Sequence, residues 1–162
     1  MEDLGRRIQR LEDIEAIKQL KGRYLHACDR KNTDQIRDCF APGAVTIDYG
    51  PIGKFASRDE LIGVFNEMAV KTGVIDSHHA HNPQIHWIDE THAEGIWDLF
   101  FFQINPESQT LMQLAGYYED CYEKKSGSWC ITRSLFLPTS TLMSGYEDGL
   151  INLLKAGETP SF

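Results

Sequence analysis

The chain has 162 residues, of which 41% are hydrophobic, 10% aromatic and 25% charged, which suits one hydrophobic core and leaves too little chain for two ordinary domains. Sixteen basic side chains against 24 acidic ones give a formal charge of -8, the wrong sign for a surface that must neutralise nucleic-acid phosphates or an anionic membrane. No apolar run approaches the roughly 20 residues of a spanning helix. Residues 1–7 lack the apolar core of a secretory signal, and four cysteines without CxxC spacing suit a reducing compartment. A cytoplasmic protein of a single domain, residues 1–162, is expected, with neither nucleic acid nor membrane as partner.

Leu4, Ile8, Leu11, Ile14, Ile17, Leu20 and Tyr24 recur at steps of three or four, predicting one long amphipathic helix that ends near Cys28. At about 1.5 Å per residue such a helix is about 39 Å long, so its first turns are expected to overhang the domain or pack on another subunit. Arg30 and Lys31 suit the negative end of its dipole, and Asn32 is expected in the left-handed cap position. A short second helix follows, from about Asp34 to Phe40. Ala44–Tyr49 reads as a strand, and Gly50-Pro51-Ile52-Gly53 as a turn. Ser57 and Glu60 have the spacing of a capping box, opening a helix whose apolar face is Leu61, Val64, Phe65 and Met68.

From Ile75 the period changes to two. Four aromatic and β-branched stretches, Ile75–Ile88, Ala93–Ile104, Thr110–Glu123 and Ser128–Leu137, are separated by turn-length links, predicting an antiparallel sheet of hairpins. Helices first and strands second indicate an α+β fold with the helices on one face. Strands this long, strongly twisted, curl into a half-open cone with an apolar interior. The core is expected over about 4–138 and a tail over 139–162, with a weak helical pattern at Tyr146, Leu150, Leu153 and Leu154.

Phosphate-loop, dinucleotide and nucleophile-elbow motifs are missing, so no cofactor is expected. Four of six histidines fall between His78 and His86. On a strand His79 and His81 share one face and His78 takes the other, so the run cannot converge on one ion without distortion. A site built from His79, His81 and either Asp48 or Asp76 is the metal alternative; no metal is expected. His79, His81 and His86 read as surface or hydrogen-bonded residues. His78 differs because the first helix ends in Tyr24-Leu25-His26-Ala27-Cys28-Asp29. From spacing alone Asp29 is either a solvated helix-end carboxylate or the partner that fixes one nitrogen of His78 and leaves the other as a general base.

Ile14–Tyr24, the Tyr24-x4-Asp29 spacing, Val45-Thr46, His78-x2-His81-x-Pro83 and Tyr122-Glu123-x3-Gly127-x-Trp129 together resemble the SnoaL-like branch of the nuclear transport factor 2-like superfamily. That superfamily, of cystatin-like fold, includes polyketide cyclases, scytalone dehydratase, bile-acid 7α-dehydratase and hexachlorocyclohexane dehydrochlorinase. The resemblance implies that Asp29 pairs with His78, which abstracts a proton, and that Tyr24 is a pocket hydroxyl; in the reading favoured here it donates to a carbonyl or leaving oxygen. Asp48 stands where the bile-acid enzyme has a tyrosine, with Tyr49 beside it, and Lys125 falls in a turn in place of a basic strand residue of the dehydrochlorinase.

The expected activity is a cofactor-independent lyase of dehydratase type, or an isomerase or cyclase, acting on a small hydrophobic, cyclic or aromatic compound. Asp48 is a candidate second carboxylate, and Tyr49, Trp97, Phe101, Met112, Leu114 and Phe136 are candidate wall residues. The alternative is a non-catalytic binding or assembly module of the same fold, similar to the small subunit of a ring-hydroxylating dioxygenase. A homodimer or homotrimer is expected, favoured if Trp97, Phe101 and their neighbours face outward. The site also requires a bulge. Strict alternation would put His78 opposite Ile85 and Trp87, and all three can point inward only if the register shifts at Asn82-Pro83.

Overall fold

The N-terminal stripe forms helix α1 (Leu4–Asp29) in the computed structural model, which describes residues 3–68 and 73–146. Its first turns are uncovered. Ile17, Leu20, Lys21, Tyr24, Leu25, Ala27 and Cys28 are buried, while Leu4, Ile8 and Leu11 are exposed, so the first turns do overhang. The helix closes in a Schellman motif, with Asn32 N–H donating to the Ala27 carbonyl and Lys31 N–H to that of Cys28. The left-handed residue is Lys31 (φ +58°) rather than Asn32. Asn32 is needed elsewhere: its side chain accepts from Gln35 N–H at 3.0 Å and caps helix α2 (Thr33–Cys39).

Strand β1 (Ala44–Asp48), a single turn at Gly50–Ile52 and strand β2 (Lys54–Ser57) lead into helix α3 (Arg58–Met68). The capping box is half as predicted. Ser57 Oγ accepts from Glu60 N–H at 3.2 Å, but the Glu60 carboxylate reaches Ala56 N–H, at 2.8 Å, rather than Ser57. Four long strands follow: β3 (Ile75–Trp87), β4 (His92–Asn105), β5 (Thr110–Lys125) and β6 (Ser128–Gly145). β6 runs well past Leu137, because β5 offers it partners as far as Thr110↔Gly145. Residues 139–145 therefore belong to the sheet and not to a tail; the predicted C-terminal helical pattern lies outside the described residues from 147 onward.

The sheet order is β2-β1-β6-β5-β4-β3, antiparallel except for the parallel pair β1–β6. One face is sealed by α1, α2 and α3, giving the α+β cone. Ala93, Gly95, Trp97, Leu99 and Phe101 form the inward row of β4. Trp97 and Phe101 thus face the interior, while their neighbours Ile96 and Phe100 are exposed on the outer face. The strands bend where the register slips. Between Ala115 and Gly116 the backbone of β6 comes so close that a Cβ on Gly116 would lie 2.6 Å from the Leu137 carbonyl oxygen.

α1 is anchored to the sheet by a buried carboxylate. Asp13 accepts from Lys124 Nζ at 2.6 Å, Trp129 Nε1 at 3.0 Å and Gln9 Nε2 at 3.3 Å. Burial alone would raise the Asp13 pKa, but these donors and the Lys124 charge outweigh it and hold the carboxyl below its usual value. A group depressed on folding stabilises above its unfolded pKa and loses that contribution as the pH falls through the folded one. Asp13→Asn is therefore expected to cost about 1–3 kcal/mol at pH 7, with the gap to the parent chain narrowing toward pH 3. Denaturant titrations at several pH values check both.

Candidate active site

Asp29 is the last residue of α1 and His78 the fourth of β3, and the fold brings them into contact. His78 Nδ1 lies 2.6 Å from Asp29 Oδ1, and the His78 backbone N–H donates to the same carboxylate at 3.1 and 3.2 Å. A carboxylate only accepts, so Nδ1 carries a hydrogen, and in the neutral imidazole Nε2 is then the nitrogen with the lone pair. Phe101, opposite His78 in the ladder, holds the ring from the sheet side at 4.5 Å between centroids. Lys31, just beyond the helix end, pairs with Asp76, which also accepts from Gln103 Nε2 at 2.8 Å. The end of α1 is thereby tied to β3 two residues before the histidine.

The inward placement of His78 rests on an irregularity. His81 pairs with Asp98 and Gln84 with Ile96, so Asn82 and Pro83 together oppose the single residue Trp97, with Asn82 at φ +50°. The bulge falls where parity required it, and His78, Ala80, Ile85 and Trp87 all pair with the inward row of β4. His79, His81 and His86 are exposed. Among the described residues no three His, Cys, Asp or Glu side chains are grouped to hold a metal ion.

Beside the dyad lies a cleft of about 300 Å³ whose lining includes Lys21, Leu25, Asp29, His78, Ala80 and Trp97. That is the lower end of the size range for small-molecule sites. Deeper in the cone runs a buried polar network. Tyr24 Oη lies 2.8 Å from Tyr49 Oη, Tyr49 donates to Ser134 Oγ at 3.2 Å, and Ser134 donates to Asp120 at 2.7 Å. Asp120 also accepts from Lys21 Nζ and Tyr122 Oη, both at 2.8 Å, and Trp97 Nε1 donates to Tyr122 Oη. The Lys21 ammonium stands 3.4 Å from the centre of the Tyr118 ring. Burial lowers the Lys21 pKa while Asp120 acts to raise it; burial also pushes the phenols of Tyr24, Tyr49, Tyr118 and Tyr122 up, so they remain protonated.

The predicted positions divide accordingly. Tyr24 and Tyr49 touch each other rather than His78, and Phe136 packs on Tyr118 at 4.9 Å between ring centroids. Met112 and Leu114 are half-buried against the same core, Leu114 next to Phe101 in the ladder. Asp48 does not join the site. Val45 and Ile47 point inward, so Asp48 falls on the outer face, where it pairs with Lys54 at 2.7 Å and accepts from Gly50 N–H. Its hydrogen bond to Lys54, then that from Gly50, hold its carboxyl below the usual value, which rules it out as a proton donor from a dry cone. Lys125 pairs with Glu123 at the end of β5. Sequence reasoning missed Lys21, Tyr118, Asp120 and Ser134. Lys21 sits inside the apolar stripe between Leu20 and Tyr24, and Asp120 shares the inward parity of Tyr118 and Tyr122, so both signals were present.

Residues 9–134 match the SnoaL-like domain family. The chain belongs to that family. Its fold is nuclear transport factor 2-like. A hexachlorocyclohexane dehydrochlorinase, LinA type 2, superposes with a TM-score of 0.78 at 16% identity, covering 89% of this chain and 99% of its own. LinA type 3 from Novosphingobium barchaimii LL02 gives 0.76 at 16% identity, covering 88% and 95%. A protein provisionally named scytalone dehydratase, from Novosphingobium aromaticivorans DSM 12444, gives 0.76 at 21% identity, covering 86% and 91%. At these identities the likeness speaks for the fold.

Burial also sets the thiol chemistry of this SnoaL-like chain. It pushes the Cys28 thiol up to about 12 and the Cys39 thiol up to about 11, and both side chains are buried. Thiol titration with an aromatic disulfide reagent at pH 8 is expected to leave Cys28 and Cys39 unmodified until denaturant is added. Rapid labelling of either in the folded chain would contradict the packing around the end of α1.

Proposed function

We propose that this protein is a cofactor-independent lyase of dehydratase type, or an isomerase or cyclase, working on a small hydrophobic cyclic compound. The observation that carries the reading is the grip of Asp29 on both N–H groups of His78, which holds the imidazole with Nε2 as the unprotonated nitrogen beside a ligand-sized cleft. Nε2 removes a proton from a carbon next to an electron-withdrawing group. The C–H electron pair becomes the new double bond or an enolate, and in an elimination the leaving group departs with the electrons of its own bond. Asp29 stabilises the resulting imidazolium. Trp97, Phe101 and Phe136 supply apolar wall. Self-association through the outer sheet face, where Ile96 and Phe100 are exposed, completes the proposal, giving a homodimer or homotrimer.

A panel of cyclic ketones bearing hydroxyl or halogen at the β-position tests it, because elimination produces a conjugated absorbance. His78→Ala is expected to lower the rate by about 10²–10⁴-fold, and Asp29→Asn by a smaller factor in the same direction. Absence of turnover across the panel by the wild-type chain, with the cone intact, would count against the lyase and favour a binding module.

A further inference from the structure

Helix α1 and strand β3 run side by side in opposite directions, with contacts at both ends of the seam between them. Lys31 meets Asp76 and Asp29 meets His78 at one end; at the other the Arg10 guanidinium stands 5.6 Å from the centre of the Trp87 ring. Between these points the seam opens into the cleft beside the dyad. The helix residues that line it, Lys18, Lys21, Gly22, Leu25, His26 and Asp29, follow the three- and four-residue steps of one helix face. Gly22 sits in the middle of that face and alone among them has no side chain. Across the seam, Ala80 is the smallest residue of an inward row that otherwise holds Asp76, His78, Ile85 and Trp87, and it lines the same cleft. The opening falls where each element carries its smallest residue.

Neither backbone nor packing asks for glycine at position 22. It lies inside a regular helix, it is not one of the glycines with positive φ, and a Cβ built on it would meet no described atom within 4 Å. A glycine inside a helix is destabilising relative to alanine. What it leaves here is space, exposed to solvent on one side and continuous with the dyad on the other.

We propose that Gly22 is a specificity-determining residue: the reacting ring of an elongated apolar ligand sits at the His78 end, and the rest of the ligand lies along α1 across Gly22 and Ala80. The proposal deepens the lyase reading and rests on it for which end of the ligand meets His78. At about 1.5 Å per residue, Gly22 is about 10 Å along the helix from Asp29, farther than a single six-membered ring reaches. Leu25 and Trp97 offer apolar surface along that path. A side chain at position 22 would project into it and shorten the cleft without reaching the dyad.

Binding tests this without turnover. The isotope-labelled chain is titrated with cyclohexanone and with 4-phenylcyclohexanone, which carries a second ring at the end away from the carbonyl, and the amide signals of His78 and Ala80 are followed. The wild type is expected to bind the two-ring ketone about tenfold more tightly. Gly22→Leu is expected to lose that advantage while binding cyclohexanone within about twofold of the wild type. Gly63→Leu, on α3 away from the cleft, where a Cβ also meets no described atom within 4 Å, controls for an added exposed leucine and is expected to keep the preference. A wild type that binds both ketones alike, or neither, overturns the proposal. A Gly22→Leu chain that keeps the wild-type ratio overturns it too, as does equal loss in the Gly63 control.

If leucine disturbs the helix, Gly22→Ala decides. Its thermal midpoint is expected to rise by about 2–4 °C, while the preference for the two-ring ketone falls by about threefold. A lower midpoint would make Gly22 a residue of the fold and overturn the proposal, and so would an unchanged preference. Turnover separates this from the lyase reading. A two-ring preference that depends on position 22, in a chain that eliminates nothing from the β-substituted ketones, would sink the dyad chemistry alone; turnover with no length preference would sink the role of Gly22 alone.

Discussion

The site depends on one irregularity in one strand. Side chains on a strand alternate with period two, so a regular β3 could bury either His78 or the pair Ile85 and Trp87, never all three on one face. The extra residue at Asn82–Pro83 opposite Trp97 resolves the conflict. Proline suits the place because it has no N–H to give the ladder, and β3 is an edge strand of the sheet. Past the bulge Ile85 and Trp87 return to the inner face, opposite Gly95 and Ala93 on β4. Before it, His78 stays level with the end of α1.

That end is equally constrained. The Schellman closure through Lys31 and Asn32 stops α1 just after Asp29, and Lys31 is held to Asp76, whose other oxygen takes Gln103. Helix end and strand are thus joined at two points, Asp76 and His78, two residues apart on the inner face. Holding such a pair on regular elements keeps its geometry tight, because little loop motion reaches it. Deeper in, the Lys21–Asp120 pair is a costly thing to bury, since desolvation of two ions takes several kcal/mol that Coulomb attraction alone does not always return. Its remaining valences are largely used, by Tyr122, Ser134 and the face of Tyr118. The result is a core that is polar at its centre yet fully connected, the condition under which buried polar groups make one arrangement definite.

Much of this was legible in the chain itself. The period-3.6 stripe of α1, the switch to period two at Ile75 and the turn-length links carried the α+β cone, and parity carried the bulge, because two sets of inward residues disagreed about register. The end of α1 was placed to within one residue, but the left-handed position went to Lys31, since Asn32 is drawn off to cap α2. The extension of β6 to Gly145 was not legible, because Pro138 and a run of serine and threonine look like loop until β5 is there to pair with them. Asp48 misled for a simpler reason: it lies one residue from Tyr49, and one residue on a strand is the other side of the sheet. The network around Asp120 was hidden by composition, a lysine and an aspartate 99 residues apart whose burial has a physical rationale only once each is seen to be the other's partner.

The chemistry turns on whether Asp29 holds the neutral His78 ring with its hydrogen on Nδ1 and its lone pair on Nε2. Nitrogen-15 NMR of selectively labelled histidine reads this directly, since the protonated and bare ring nitrogens of a neutral imidazole differ widely in chemical shift. At a pH where His78 is neutral, the Nδ1–H tautomer is expected as the dominant form, with that preference lost in Asp29→Ala. A dominant Nε2–H tautomer, or a spectrum of His78 indifferent to removal of the carboxylate, would contradict it.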